Sequence, residues 1–493
     1  MYPLTERILK LYLAIALLGL GACTVGPEYK RPETTTPGNY KSAVGDPAAI
    51  QLSDQWWTIF GDPTLNELEQ QAAQASPQLQ AAVARVTQAR AIARVTEADF
   101  YPNVTLDPAV GRTRYSGNRP AQPGTTVIPY TVNRYSLPLD VSYEVDLWGK
   151  IRNTNKSAVA LAQATADAYE TVRLTLFADV AQNYFALRSL DSEYDLVNRT
   201  IEYRKQGVEL IRARYRGGAS SELDVVRAEA EVATNESELI AIARRRAELE
   251  NALAVLVGKN PIEFKLAQNP LTLLPPAIPV GLPSELLQRR PDIAEAERRT
   301  AARNAEIGVA TAAFYPSINL TGALGFESSD LSSFLTSGSR AWTLFGGLSQ
   351  PIFEGGRNRA NLDRAKAAYE ENLASYHQQV LVAFEEVESA LVGLRLLAQQ
   401  SEAQARAVTN SERAAQISSA RYRNGLVYFL DVLDAERTKL ANQRLATEIE
   451  GQRLVTSVGL IKALGGGWNG KYAPDATAAA GPSKTNPNKT NTN

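Results

Sequence analysis

The chain has very few of the side chains on which most enzymes and metal sites depend. Its 493 residues include one cysteine, one histidine and one methionine, and the methionine is Met1. A single cysteine, Cys23, and a single histidine, His377, exclude an intrachain disulfide, a Cys/His metal cluster and a Cys–His nucleophile. Most general acid–base catalysis uses histidine, and a lone histidine has no partner to tune it. We therefore expect no catalytic residue, no metal site and no bound cofactor.

An excess of charge of either sign is also absent. The chain has 52 Lys and Arg residues against 53 Asp and Glu residues, which leaves a formal net charge of −1 at pH 7. A strongly basic balance would favour binding to nucleic acid. The composition therefore argues against a nucleic-acid partner.

Cys23 lies at the end of an export signal. Arg7 and Lys10 precede a short apolar stretch, which lacks the roughly 20 residues that a spanning helix needs. The sequence Leu20-Gly21-Ala22-Cys23 resembles the lipobox of bacterial lipoproteins, in which the cysteine is acylated. It predicts a lipoprotein signal peptide over 1–22, a covalent lipid on Cys23 and a lipid-anchored segment over 23–62. The alternative is an ordinary signal peptide with an incidental cysteine.

The second half of the chain repeats the first. Ala98-Asp99-Phe100-Tyr101-Pro102 returns as Ala312-Ala313-Phe314-Tyr315-Pro316, displaced by 214 positions. Further on, Arg214-Tyr215-Arg216 returns as Arg421-Tyr422-Arg423, displaced by 207 positions. Two long copies indicate one structure with an internal two-fold repeat, and the first copy is seven residues longer between these markers. We predict a first repeat over 63–262, a linker over 263–282, a second repeat over 283–468 and a disordered tail over 469–493.

Each repeat contains a long helical segment. No proline occurs between Lys150 and Pro261, and apolar residues recur there every seven positions, at Val180, Leu187, Tyr194, Ile201, Val208 and Tyr215. Apolar residues at this spacing are typical of a coiled coil. A helix from Gly149 to Tyr215 has 67 residues and is about 100 Å long. A cytosolic rod would show the same pattern, but the export signal disfavours it.

Each repeat also contains two segments with the two-residue period of a strand. Apolar side chains alternate with polar ones from Leu137 to Val145 and again from Ile318 to Phe326. This pattern suits a barrel wall between lipid and water, and a half-buried soluble sheet has the same alternation. Four strands cannot close a membrane barrel, and open edges in lipid are forbidden, so several chains would share the wall. The predicted strands cover 103–112, 136–146, 317–327 and 341–352.

Five motifs give the chain a specific resemblance. These motifs resemble segments of the outer-membrane lipoprotein channels of the TolC superfamily and occur in the same order along the chain. The match runs to about Trp468. The segments 56–63 and 281–293 are most similar to the branch that serves resistance–nodulation–division pumps. The motifs are Cys23-Thr24-Val25-Gly26-Pro27-Glu28-Tyr29, Trp56-Trp57-Thr58-Ile59-Phe60-Gly61-Asp62-Pro63, Tyr143-Glu144-Val145-Asp146-Leu147-Trp148-Gly149-Lys150, Gly281-Leu282-Pro283-Ser284-Glu285-Leu286-Leu287-Gln288-Arg289-Arg290-Pro291-Asp292-Ile293 and Gln350-Pro351-Ile352-Phe353-Glu354-Gly355-Gly356-Arg357.

The resemblance implies a fold, a location and a set of partners. It implies an α+β membrane protein, a homotrimer whose 12-stranded outer-membrane β-barrel (four strands per chain) is continued by a long periplasmic α-helical barrel. The implied partners are a periplasmic adaptor protein, an inner-membrane resistance–nodulation–division transporter and outer-membrane lipid. The implied function is the exit duct of a tripartite efflux pump, opened by adaptor contact at its periplasmic tip.

The turns that follow the long helices form the candidate functional site. Glycine readily takes the left-handed conformation that ends a helix, and the resemblance makes these turns the periplasmic tips. In the family, the positions that match Asp224 and Tyr422 help to latch neighbouring helices. Ser221-x-x-Asp224 also fits a capping box, which is the alternative role for Asp224. The same Tyr-x-x-Gly pattern marks both turns, as Tyr215 to Gly218 and as Tyr422 to Gly425.

The second tip adds two carboxylates, Asp431 and Asp434, three residues apart on one helical face. The resemblance places them at the constriction of the closed entrance. Three chains would bring six carboxylates around one aperture, and an acidic ring favours cations. We predict that Asp431 and Asp434 form the periplasmic gate and set its selectivity. The alternative is a solvated helix start that the helix dipole favours.

Two other functions fit parts of the sequence. The exit duct of a type I protein-secretion system shares this fold, but the lipobox and the segment 281–293 argue against it. A structural coiled-coil outer-membrane lipoprotein would need no aqueous lumen, whereas the predicted strands have a polar face. The sequence leaves the cargo open among drugs, solvents and metal ions.

Overall fold

The computed structural model describes residues 24–42, 52–120, 128–468 and 470. The predicted signal peptide over 1–22, the acylation site Cys23 and, apart from Gly470, the predicted tail over 469–493 lie outside the described residues. The chain forms two compact units, each assembled from three segments. The first unit consists of the described residues within Met1–Pro32, Thr87–Ala164 and Ala296–Ser375, and the second of those within Glu33–Val86, Thr165–Glu295 and Tyr376–Asn493.

Helices account for most of the described residues. A 3₁₀ turn at Trp56–Phe60 precedes the first α-helix. Among the described residues, none of the helices has an apolar stretch of the length that crossing a membrane requires. The α-helices are α1 Pro63–Ala75, α2 Pro77–Ala98, α3 Lys150–Arg216, α4 Glu222–Leu256, α5 Pro283–Arg289, α6 Pro291–Ala312, α7 Arg357–Arg423 and α8 Phe429–Ala463.

The lengths of the helices confirm the internal repeat. Helices α3 and α7 each have 67 residues, helices α4 and α8 each have 35, and both pairs are displaced by 207 positions. Helices α2 and α6 each have 22 residues and are displaced by 214 positions. The seven-residue difference between the repeats therefore arises between α2 and α3 in the first repeat and between α6 and α7 in the second. Those are the stretches that contain the strands.

Helix α3 confirms the long helix that the sequence predicts. The predicted helix runs from Gly149 to Tyr215, and the observed helix runs from Lys150 to Arg216. In the seven-residue series Tyr194 is half-buried, and Tyr215 at the end of the helix is exposed. Four members of the series are buried in the second unit: Val180, Leu187, Ile201 and Val208.

Asp146 fixes the start of α3. Its carboxylate accepts hydrogen bonds from the backbone N–H groups of Ile151 (3.2 Å) and Arg152 (2.9 Å), and the Arg152 side chain lies 3.1 Å away. The predicted strand over 136–146 included Asp146, but the strand ends at Val145. The carboxylate satisfies amide groups that the first turn of a helix leaves without partners.

Among the described residues, the first unit contains one antiparallel sheet that is four strands wide. Strand β3 pairs with β1 and β2 on one side and with β4 on the other, and β5 pairs with β4. Strands β1 and β2 together occupy a single strand position in the sheet, because they pair with β3 in one continuous register. Within the chain, β1 with β2 and β5 form the two edges. The strands are β1 Asn103–Leu106, β2 Ala109–Tyr115, β3 Tyr130–Val145, β4 Ser317–Ser328 and β5 Arg340–Ser349.

Prolines explain the break in the first predicted strand, whereas β3 begins at Tyr130, six residues before the predicted start at position 136. The predicted strand over 103–112 is interrupted between Leu106 and Ala109. In the continuous register Asp107 faces Pro138 and donates its N–H to the Pro138 carbonyl at 3.2 Å, but Pro138 has no N–H to return. Pro108 lacks an N–H as well. The regular pairing with β3 is therefore lost at two positions between β1 and β2, which together we call the β1–β2 arm.

The pairing register divides the sheet into two faces, because successive side chains of a strand point to opposite sides. Both predicted alternations are confirmed. The apolar face is exposed, since Trp342 and Leu344 keep 75% and 79% of their accessible surface. It carries Val104, Leu106, Val110, Leu137, Leu139, Val141, Val145, Ile318, Leu320, Leu324, Phe326, Trp342, Leu344 and Leu348. The polar face carries Thr105, Asp107, Thr113, Ser136, Asp140, Ser142, Glu144, Asn319, Thr321, Glu327 and Thr343.

The segment after Cys23 is seated in the first unit. Val25 donates its N–H to the Trp148 carbonyl at 3.1 Å, and Tyr29 donates its hydroxyl to Glu297 at 2.6 Å. Gly26 has φ 118°, and a Cβ there would lie 2.6 Å from the Cα of Gly308. The segment thus needs glycine at position 26 to approach helix α6 this closely.

Aromatic residues of the Trp56 motif form the core of the second unit. The rings of Trp57 and Phe177 lie 4.7 Å apart, and those of Phe60 and Phe185 lie 4.9 Å apart. Asp62 then caps α1, and its second oxygen accepts a hydrogen bond from the Tyr184 hydroxyl at 2.5 Å. This motif packs the 3₁₀ turn and α1 onto α3.

Arg290, in the motif over 281–293, joins three helices of the second unit. Its side chain is buried, and it donates to the carboxylates of Asp292 (2.6 Å) on α6 and Glu386 (2.5 Å) on α7. It also donates to the backbone carbonyl of Ala463 at 2.9 Å, at the end of α8. A single guanidinium therefore ties the start of α6 to both long helices of the second repeat.

Candidate functional site

Two helical hairpins of the second unit end in the turns that the sequence singles out. The first turn joins α3 to α4 and the second joins α7 to α8. Gly218 and Gly425 have φ values of 74° and 72°, in the left-handed region that favours glycine. The N–H of each glycine donates to the carbonyl of the tyrosine three residues before it, Tyr215 at 2.9 Å and Tyr422 at 3.0 Å.

Asp224 belongs to the first turn and caps its own helix. One carboxylate oxygen accepts hydrogen bonds from the Ser221 N–H (3.2 Å), the Ser221 hydroxyl (2.8 Å) and the Ser220 hydroxyl (3.1 Å). The Ser221 hydroxyl in turn accepts from the Asp224 N–H, which completes the capping box. Among the described residues of one chain, Asp224 makes no hydrogen bond to Tyr422.

Asp431 repeats half of this arrangement at the second turn. Its carboxylate accepts the N–H of Tyr428 at 3.0 Å, so it helps to cap α8. Tyr428 lacks the short hydroxyl side chain with which Ser221 accepts the N–H of Asp224 in the first turn, and the Tyr428 side chain is exposed. Asp431 is exposed too, and Asp434 is more than two-thirds exposed with Arg437 4.0 Å away. Both carboxylates therefore face solvent in one chain.

Tyr422 contacts the other hairpin through Arg214. The guanidinium carbon of Arg214, at the end of α3, lies 4.9 Å from the centre of the Tyr422 ring. Arg214 also donates to the Arg423 carbonyl at 3.2 Å, and the rings of Tyr422 and Phe429 lie 5.7 Å apart. A cation over an aromatic face is attracted by the negative charge density of the ring. This contact ties the two turns of one chain together.

Glu231 ties the hairpins together a few turns further along the helices. It accepts hydrogen bonds from Arg204 of α3 (2.5 Å) and from Arg437 of α8 (Nε, 2.8 Å). Its side chain is nearly buried. Burial acts to raise the pKa of Glu231, but the hydrogen bond from Arg437 and the charges of both arginines outweigh it, so its pKa lies below the usual value. We call Arg204, Glu231 and Arg437 the ion cluster.

An apolar contact and a second set of ion pairs flank the ion cluster. Phe429 of α8 packs against Val208, Ile211 and Ala228 of the first hairpin. On the other side, Arg444 of α8 donates to Glu193 of α3 (2.5 Å) and lies 2.5 Å from Glu238 of α4. The two hairpins of one chain are therefore cross-linked at several levels along their length.

Sequence reasoning singled out Tyr422 but missed its partner Arg214, and it missed Glu231. A signal for Arg214 was present, since an Arg-Tyr-Arg triplet ends both long helices. No signal along the chain pointed to Glu231, because its partners lie 27 and 206 positions away.

The chain is similar to known proteins over most of its length. The sequence pattern of the family described as outer membrane efflux protein matches residues 68–259 and 282–466. The chain belongs to this family. The efflux protein is 32% identical over 474 residues to "Cation efflux system protein CusC" of Escherichia coli O157:H7, covering 94% of this chain and 99% of CusC. It is 33% identical over 465 residues to "Solvent efflux pump outer membrane protein SrpC" of Pseudomonas putida, covering 92% of this chain and 97% of SrpC.

A solved structure, that of the outer-membrane channel OprN, resembles the efflux protein with a TM-score of 0.85 and 34% identity, covering 91% of this chain and 100% of OprN. These similarities confirm the predicted TolC-superfamily membership, the α+β channel fold and the outer-membrane location. They also confirm the predicted function, since the efflux protein is an outer-membrane exit duct. Its relatives are channel proteins and not enzymes.

Proposed function

We propose that three copies of the efflux protein close a 12-stranded barrel and that the trimer is the outer-membrane duct of a tripartite pump. This proposal rests on the two edges of the sheet. Strand β5 and the β1–β2 arm each have one side without a partner strand in the described residues, and the apolar face between them is exposed. Backbone groups at an open edge cannot be left unpaired in lipid. Pairing β5 of one copy with β1 and β2 of the next satisfies both edges.

Trimer formation is tested by the mass of the assembly. Purified efflux protein in mild detergent should have the mass of three chains, because closure removes every open edge. Leu139→Arg, which places a charge on the apolar face, should cost about 2–4 kcal/mol of stability near the middle of the bilayer. Asp140→Asn on the polar face is the matched control and should leave the assembly intact. A folded, monodisperse monomer would contradict the proposal.

The cargo is set elsewhere in the pump. CusC is named for cations and SrpC for solvents, yet the two are 32% and 33% identical to this chain over almost its whole length. A duct fold that serves such different compounds selects little among them. We propose that an inner-membrane resistance–nodulation–division transporter chooses the cargo and that a periplasmic adaptor joins it to the tips of the efflux protein.

The lipid anchor is a second part of the proposal. Cys23 would be acylated, and the segment after it is already seated, because Val25 binds the Trp148 carbonyl and Thr24 packs on Gly149. Trp148 also stacks on Tyr315 at 4.8 Å, and aromatic side chains of this kind favour the membrane–water interface. Two or more acyl chains give stable attachment. Mass spectrometry of the N-terminal peptide should show a lipid on Cys23, and an unmodified cysteine would contradict this.

The gate is the third part. Asp431 and Asp434 are exposed in one chain, and a trimer would bring six such carboxylates around one aperture. In planar bilayers the wild type should conduct cations in preference to anions. Asp431→Asn with Asp434→Asn should bring that preference close to unity, and asparagine keeps an oxygen that caps α8.

A matched control separates the gate from general surface charge. Glu402 is an exposed carboxylate on α7, about 30 Å of helix before the turn. Glu402→Gln should leave cation preference unchanged. If both variants behave like the wild type, Asp431 and Asp434 act only as solvated residues at a helix start.

A further inference from the structure

Charge is distributed unequally between the two faces of the sheet. The polar face carries four carboxylates and one arginine: Asp107, Asp140, Glu144, Glu327 and Arg134. Every charged side chain on the apolar face is an arginine, and there are three of them: Arg112, Arg114 and Arg340. The charges on the apolar face are therefore all positive.

These three arginines lie at one end of the sheet. Arg112 faces Asn133 and Arg114 faces Thr131, next to the connection from β2 to β3. Arg340 faces Phe326 at the start of β5, directly after the connection from β4. At the other end, where the strands join helices, the same face is uncharged: Val104, Val145, Ile318 and Leu348. The cations therefore border the apolar band on the hairpin side only.

No carboxylate among the described residues neutralises these three arginines. All three are exposed, and none has an ion-pair partner in the part of the chain that the structure describes. The two carboxylates at this end are already engaged. Asp330 accepts hydrogen bonds from the N–H and hydroxyl of Ser332, both at 2.9 Å. Glu327 points to the polar face and pairs with Arg134 at 3.1 Å.

Two other arginines at this end of the sheet are different. Arg134, on the polar face, has Glu327 as its partner. Arg119 lies over two aromatic rings, 4.9 Å from the centre of Tyr130 and 5.7 Å from that of Tyr115. These two cations are held by the protein itself. They provide controls of the same residue type in the same part of the molecule.

We infer that Arg112, Arg114 and Arg340 bind the phosphate groups of anionic lipids in the leaflet at the hairpin end of the sheet. The inference rests on the proposed barrel, in which the apolar face contacts lipid and its band ends where headgroups begin. Arginine suits this role because its planar guanidinium binds phosphate through two parallel hydrogen bonds and is always charged. Side chains two apart on one strand lie about 7 Å from each other, so Arg112 and Arg114 reach the same headgroup region.

The test measures lipid binding to the full-length protein. The assembly in mixed micelles is titrated with bis-phosphorylated lipid A, and bound lipid is counted by native mass spectrometry. Arg112→Gln with Arg114→Gln and Arg340→Gln should weaken binding about 100-fold, at about fivefold for each cation near an anionic surface. The corresponding lysine variant keeps the charge and should retain most of the binding. Arg119→Gln with Arg134→Gln should bind like the wild type.

Three results would overturn the inference. Equal binding by the wild type and the triple glutamine variant overturns the inference, and so does an equal loss in the Arg119 and Arg134 control. Binding of lipid A from which the phosphates have been removed, as tight as that of the intact lipid, overturns it too. If the triple variant does not assemble, Arg112→Gln and Arg340→Gln alone should each cost about fivefold. Failure of the barrel itself would appear separately, as a wild type that forms no trimer.

Discussion

Replacing Arg290 by alanine should lower the free energy of unfolding by about 3 kcal/mol, the low end for breaking a buried ion pair, because the carboxylates of Asp292 and Glu386 are partly exposed and keep some solvation. The change would leave Asp292 and the Ala463 carbonyl without the donor that now lies within 2.9 Å of each. Denaturant unfolding of the detergent-solubilised protein, followed by far-UV circular dichroism, measures the loss.

The neighbouring arginine supplies a matched control. Arg289 lies on α5 and pairs with Glu285 at 3.5 Å, with both side chains about one-third exposed. Exposed pairs of this kind contribute about 0–1 kcal/mol. Arg289→Ala should therefore have a small effect. Similar losses at positions 289 and 290 would mean that Arg290 is not the link between α6, α7 and α8.

Neutralising the ion cluster should open the entrance of the channel. Glu231→Gln leaves Arg204 and Arg437 facing each other without the carboxylate that both now contact. Each 1.4 kcal/mol lost from the closed arrangement raises the ratio of open to closed channels about tenfold. Single-channel recording in planar bilayers should show a much larger open fraction, while the trimer stays assembled.

Glu229→Gln is the control for this variant. Glu229 lies two residues before Glu231 on α4 and pairs with Arg212 at 2.7 Å, but that pair is exposed and stays within the first hairpin. It should leave the open fraction unchanged. An unchanged open fraction in Glu231→Gln would show that the ion cluster has no part in closure.

The same cluster predicts a response to acid. The pKa of Glu231 is lowered in the folded protein, so its contribution is fully present above the ordinary glutamate pKa and is lost as pH falls through the lowered value. Acidification through that window should raise the open fraction of the wild type. Glu231→Gln, which is already neutral, should lack this acid component.

The sequence predicted the helices well because their determinants lie along the chain. A seven-residue apolar series and the absence of proline define α3, and its observed bounds differ from the predicted ones by one residue at each end. The capping box at Ser221 and Asp224 was also visible as a local pattern. Such features depend on residues three or four apart, which a single sequence reveals directly.

Features that depend on partners across the fold were not predicted. The break at Asp107 and Pro108 depends on Pro138 lying opposite, and nothing in the alternation of one strand reveals its register. The contact of Arg214 with Tyr422 depends on the rotation of one long helix relative to another. Asp431 is predicted at the gate, and its hydrogen bond to the Tyr428 N–H adds a capping role. The sequence does not show this role, because Tyr428 occupies the position that the capping residue Ser221 has in the first repeat.

The equal lengths of the paired helices restrict how this protein can change size during evolution. Removing seven residues from α3 alone would move its end by about 10 Å and would separate Arg214 from Tyr422 and Arg204 from Glu231. The contacts survive only if α3, α4, α7 and α8 shorten together by the same heptad. We therefore expect these four helices to lengthen or shorten together by whole heptads, whereas the strands and their connections within each repeat can change length one residue at a time. The seven-residue surplus of the first repeat lies where that freedom exists.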